Sequence, residues 1–120
     1  MRRIIPLVVL LACADPLGWL YRTEPEPFDP PPEYQTYWAQ AEHCTGLTGN
    51  FARLRFHVSD SLPCPGHLMG CYGFWVQPHD IYLLRRVTGR ASVVRHEMTH
   101  DLLQRDGHPP AYFPRCEDAT

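Results

Sequence analysis

Two histidines four residues apart with a glutamate after the first, His96-Glu97-Met98-Thr99-His100, have the spacing of a metal site. On a helix this separation is about one turn, so both imidazoles leave the same face and can share one Zn²⁺ at about 2.0 to 2.1 Å. Glu97 then stands beside the ion rather than on it and faces the bound water. Zinc brings the pKa of such a water toward about 7; the carboxylate takes its proton during attack on a carbonyl and passes it to the leaving amine. The chemistry implied is metal-assisted amide hydrolysis, with His96 and His100 as ligands and Glu97 as general base. The same letters on a solvated surface helix would do nothing, so the surrounding elements matter.

Ala91, Val94, Met98 and Leu102 recur at i, i+3, i+7 and i+11. That period predicts a helix whose apolar stripe lies apart from the two imidazoles, ending at Gly107. Upstream, Tyr34, Tyr37, Trp38 and Ala41 predict another amphipathic helix over 33–44, with Pro32 suited to its first turn and Gly46 to its stop. Ala52, Leu54, Phe56 and Val58 alternate with Arg53, Arg55 and His57, the period of a half-buried strand. Residues 72–76 and 81–84 are β-prone, separated by Gln77-Pro78-His79-Asp80, which has turn composition and predicts a hairpin. The expected fold is α+β: a helix, a three-stranded sheet and the metal helix.

A catalytic zinc normally takes three protein ligands. His96-Glu97-Met98-Thr99-His100 followed by Gly107-His108-Pro109-Pro110-Ala111-Tyr112-Phe113 resembles the SprT-like zincin metallopeptidases, in which a Gly-His followed shortly by an aromatic residue supplies the third. The resemblance covers the last quarter of the chain. It implies a minimal zincin-like domain with His96, His100 and His108 as ligands and Glu97 as base. An unbroken helix would carry His108 about 12 Å along the axis from His100, so the chain must reverse between Gln104 and Gly107. Pro109-Pro110 forbids the helix from continuing. Asp106, at the position of the metzincin third ligand, and Glu117, as a gluzincin-like carboxylate, are the alternatives. Tyr112 could donate to an oxyanion, or be a core or rim residue. His79 with Asp80 could do the same or orient a ligand, although turn composition explains both. Strand 81–84 precedes the metal helix, as the substrate-binding edge strand does in zincins; a plain core strand would carry the same residues.

At the N-terminus, Arg2 and Arg3 precede an apolar run over 4–11 that is too short to span a bilayer and reads as a signal peptide, residues 1–12. Leu10-Leu11-Ala12-Cys13 resembles the lipobox of bacterial lipoproteins, which implies Cys13 as the lipidated first residue and a membrane anchor. Pro25, Pro27, Pro30, Pro31 and Pro32 among acidic residues predict an extended stalk within 13–32, leaving 33–120 as one domain. The chain has 11 Lys plus Arg, all of them Arg, and a net charge of −2; removing Arg2 and Arg3 leaves −4, which gives no footprint for nucleic acid.

Five cysteines less Cys13 leave Cys44, Cys64, Cys71 and Cys116, an even set that predicts two disulfides in an exported chain. Three connectivities are open to them; Cys64 and Cys71 bracket a short Pro-Gly segment, so pairing these two would close a local loop and leave Cys44 with Cys116. Cys64, His67 and Cys71 as a zinc knuckle is the competing use, short of a fourth ligand. The expected protein is a zinc metallopeptidase acting on a peptide or protein substrate, exported to a bacterial cell envelope and held by lipid on its periplasmic or outer face. Two other classes stay open: a non-catalytic zinc-binding envelope module, and an accessory lipoprotein stapled by disulfides without metal.

Overall fold

The computed structural model describes residues 24–62, 64 and 71–120. The signal-like segment, Cys13 and His67 lie outside them. Helix α1, Glu33–Thr45, buries Tyr34, Trp38, Ala41 and Thr45, a stripe on one face. Pro32 precedes it with φ −54°, where a missing N–H is no loss. Gly46 ends it at φ 72°, and its amide donates to the Glu42 carbonyl at 2.9 Å. Glycine adopts this left-handed geometry without a Cβ clash.

Four strands form one sheet: β1, Glu26–Pro27; β2, Arg55–Ser59; β3, Gly73–Val76; and β4, Asp80–Leu84, in the order β1-β2-β4-β3. β2 and β4 are parallel, β3 and β4 form the expected antiparallel hairpin, and β1 is antiparallel to β2. The expectation of three strands is therefore corrected to four. The added strand comes from the proline-rich run read as a stalk: Glu26 and Pro27 pair with Val58 and His57, and the Phe28 amide donates to the Phe56 carbonyl at 2.9 Å. Proline is tolerated at such an edge because a donor is dispensable there. Phe28, the one aromatic residue of the run, packs against the core with its ring 6.0 Å from that of Tyr34.

Two further expectations shift. The strand predicted from Ala52 begins at Arg55, because Phe51–Arg53 closes a 3-10 turn whose Ala52 amide is bonded by the Asn50 side chain at 3.0 Å. Residues 81–84 are not an edge strand: β4 lies between β2 and β3, and β3 is the edge opposite β1.

Helix α2, Ala91–Leu103, buries Val94 and Met98 as its apolar spacing requires, and packs on α1, β3 and β4. Tyr34, Trp38, Phe56, Ile81, Val94 and Met98 belong to the core shared by the helices and the sheet. The helix stops at Gln104, with φ 52°, rather than at Gly107. A non-glycine residue holds that conformation here because its side-chain amide donates to the Asp101 carbonyl at 2.7 Å and the Pro78 carbonyl at 2.8 Å. The same contacts tie the β3–β4 turn to the end of α2.

Both disulfides form, Cys44 with Cys116 and Cys64 with Cys71, at Cα separations of 5.6 and 5.8 Å. Disulfide sulfurs are not thiolate ligands, so a zinc knuckle at Cys64 and Cys71 is excluded. No helix among the described residues is long and apolar enough to cross a membrane.

Candidate metal centre

α2 presents His96 and His100 one turn apart, and the reversal at Gln104 returns the chain so that His108 meets them. The His96 Nε2 lies 3.2 Å from the Nε2 of His100 and 3.2 Å from that of His108. The three ligand atoms all fall within 4.8 Å of one another, so these residues could hold a metal ion. Three imidazole nitrogens brought this close repel unless a cation is shared, since one proton can bridge only one pair.

The other nitrogens of two rings are already engaged. His96 Nδ1 meets Glu117 Oε1 at 2.5 Å, and His100 Nδ1 donates to the Arg105 carbonyl at 2.9 Å. A donor on Nδ1 leaves Nε2 with its lone pair, the arrangement that orients metal-binding histidines. Burial pulls the His100 pKa down to about 4, which keeps it neutral and able to ligate at neutral pH. Phe113 is buried against the cluster, its ring centroid 4.9, 4.8 and 5.0 Å from those of His96, His100 and His108.

Glu97 is only 4% exposed, and its Oε2 has no hydrogen-bond partner among the described residues. Its Oε1 is 3.9 Å from His96 Nε2. Burial, reinforced by the negative charges of Glu117 and Asp106, pushes its pKa up to about 8. β3 approaches it closely: a Cβ on Gly73 would stand 2.9 Å from the Tyr82 carbonyl oxygen and 3.3 Å from Glu97 Cγ. Glycine is therefore what lets the edge strand close over the carboxylate. All four residues line a cavity of about 450 Å³ walled on the sheet side by β3 and on another by the Cys64–Cys71 bridge.

Of the alternative third ligands, Asp106 lines the cavity, and Glu117 lines it too but is turned to His96 Nδ1. His108 alone joins the nitrogen cluster. Tyr112 is not among the cavity-lining residues; its neighbour Phe113 meets all three histidines instead, and Trp75 stacks on His100. His79 is also outside the cavity wall. Its Nδ1 meets Asp101 Oδ2 at 3.1 Å, and Trp75 Nε1 donates to the same oxygen at 3.0 Å. Burial raises the pKa of Asp101, and these two donors oppose the rise. Asp80 instead receives Arg55 and His57, at 2.7 and 2.8 Å.

Sequence reasoning missed Asp101, Arg105 and Phe113. Only the aromatic run after His108 carried a local signal; a carbonyl acceptor has none. Comparison with protein-family models, curated proteins and solved structures finds no match to this chain.

Proposed function

We propose that the chain is a zinc-dependent peptidase in which His96, His100 and His108 hold one Zn²⁺ and Glu97 is the general base. The observation that carries this reading is the meeting of three ring nitrogens beside a buried carboxylate with an unpartnered oxygen. Two nitrogens at zinc distance on a tetrahedral ion lie about 3.3 Å apart. The two Nε2 separations of 3.2 Å agree with that spacing. When bound, zinc supplies Lewis acidity and a water that is nucleophilic near neutral pH.

The protein side chains do the rest. Glu97 Oε2, with no donor on it among the described residues, accepts the proton of the attacking water. Oxygen then bonds to the substrate carbonyl carbon, the C–N bond breaks, and Glu97 returns the proton to the departing amine. Burial favours its protonated form, and a cation held by the imidazoles would oppose this and favour the carboxylate. Glu117 and the Arg105 carbonyl fix two ligand rings, and Phe113 shields one side of the cluster from solvent. The cavity is bounded by an edge strand to which an extended peptide can add its own hydrogen bonds.

Export belongs to the same proposal. Four cysteines pair in two bridges, the usage of an oxidising compartment, and the remaining Cys13 sits in the lipobox-like sequence. The protein is then a peptidase lipid-anchored in a bacterial envelope.

Zinc content per chain and hydrolysis of peptides, measured on the disulfide-intact protein, test this. Wild type should carry one zinc, His96→Ala should lose it, and His108→Ala should weaken it more than Asp106→Ala does. Glu97→Gln should keep the zinc and lose about a hundredfold or more in turnover. A metal-replete wild type without zinc would refute the site. Zinc with no hydrolysis of any peptide would leave a binding module.

A further inference from the structure

Three side chains beside the cavity have no part in that mechanism. The cavity runs along α2 from Ser92 and Val93 to His100, a span of about 12 Å. Tyr72, just before β3, lines its Ser92 end and is 52% exposed. The guanidinium carbons of Arg86 and Arg90 sit 6.0 and 5.5 Å from the centre of the Tyr72 ring. Contact with the ring face holds both cations beside Tyr72, next to the cavity wall but not in it.

Charge satisfaction separates these two arginines from their neighbour. Arg85 is paired with Asp60 and Glu26, whereas Arg86 and Arg90 are exposed and have no acidic partner among the described residues. The far end of the cavity has the opposite sign, with Asp106 and Glu117 in its wall. A substrate lying along the cavity therefore meets cations at one end and carboxylates at the other. The positive end of the α2 dipole adds to the basic side.

We infer that Tyr72, Arg86 and Arg90 form a carboxylate-binding substrate subsite, so that preferred peptides carry a carboxylate on the Tyr72 side of the scissile bond. The group is an Asp or Glu side chain or the free C-terminus of the peptide. Planar guanidinium groups engage a carboxylate through two parallel hydrogen bonds, which a neutral amide cannot reproduce. This assignment rests on the peptidase reading, of which it names the substrate class.

The test uses the full zinc-loaded chain and three peptides of one sequence. One has an internal Glu and an amidated end, one has Gln and a free carboxylate, and one has Gln and an amidated end. At least one carboxylate peptide should exceed the neutral one about tenfold in kcat/KM. The two arms tell a side chain from a terminus. Arg86→Gln with Arg90→Gln should erase that advantage while leaving the neutral peptide unchanged, and Arg86→Glu with Arg90→Glu should invert it toward a Lys peptide. Binding of the same peptides, fluorescently labelled, to Glu97→Gln gives a readout independent of turnover. Cleavage without preference, or a double variant that slows all three peptides equally, overturns the subsite and leaves the peptidase standing. Absent cleavage with arginine-dependent binding of a carboxylate peptide refutes the peptidase, and with it the substrate role, and leaves Tyr72, Arg86 and Arg90 as a carboxylate-binding site only. Neither cleavage nor discrimination in binding overturns both.

Discussion

At the level of single residues, the site ties one nitrogen of an imidazole to the protein and leaves the other facing the histidine cluster. Glu117 does this for His96 at 2.5 Å, and its removal should be felt in affinity rather than in folding. Glu117→Gln is expected to weaken zinc binding roughly tenfold to a hundredfold, measured by competition with a chelator, with little change in unfolding midpoint. Asp80 works differently, on stability. Arg55, through its hydrogen bonds, and then His57 hold its carboxyl at about 2, below its ordinary 3.8. Since the folded form binds the proton less readily, this contribution is complete above the unfolded value and is lost as pH falls from 3.8 toward 2. Asp80→Asn should be less stable than wild type at neutral pH, with the difference shrinking across that acid window in thermal melts.

Elements bring these residues together through one close contact and one unusual ending. β3 can lie against α2 at Glu97 only because residue 73 has no side chain; an added Cβ would meet the Tyr82 carbonyl at 2.9 Å and Leu83 Cδ2 at 3.1 Å. Gly73→Ala should cost about 1–3 kcal/mol in denaturant unfolding, and should lower peptide hydrolysis more than zinc content, because the carboxylate rather than the imidazoles is displaced. The ending of α2 matters for His108. Gln104 turns the chain in a left-handed conformation, and Arg105 then offers its amide and its carbonyl back to His100. The stop of the helix and the orientation of the His100 ring are thus one structure.

The whole molecule adds a long covalent tie. Cys44 and Cys116, 72 residues apart, join the end of α1 to the C-terminal segment. In the chain-entropy view, closing that loop contributes about 4 kcal/mol. It also anchors Glu117, whose carbonyl accepts from Arg95 Nε at 2.8 Å while Arg95 Nη1 donates to Gln40 on α1 at 2.9 Å. Cys44→Ser with Cys116→Ser should lower unfolding free energy by about that amount, and chelator competition should show weakened zinc retention even under conditions where the variant stays folded.

Periodicity and spacing in the chain were enough to find both helices, the β3–β4 hairpin, the even set of four cysteines with a local Cys64–Cys71 loop, and His96 and His100 on one face with Glu97 beside them. These are local properties, set by 3.6 residues per turn, by alternation along a strand and by the short Cys64 to Cys71 interval. His108 was legible through the Gly-His motif, but its arrival beside His96 depends on a reversal that Gln104 holds through the turn at Pro78, a contact between distant parts of the chain. Glu26 and Pro27 joined the sheet for a similar reason: proline composition suits both a stalk and an edge strand, and the exposed edge of β2 selects the second. Strand order made β3 rather than β4 the edge over Glu97, because parallel pairing of β2 with β4 depends on packing between segments far apart in sequence. Asp101, Arg105 and Phe113 entered the site's surroundings the same way, since hydrogen-bond acceptors and ring contacts become partners only when the fold brings them within reach.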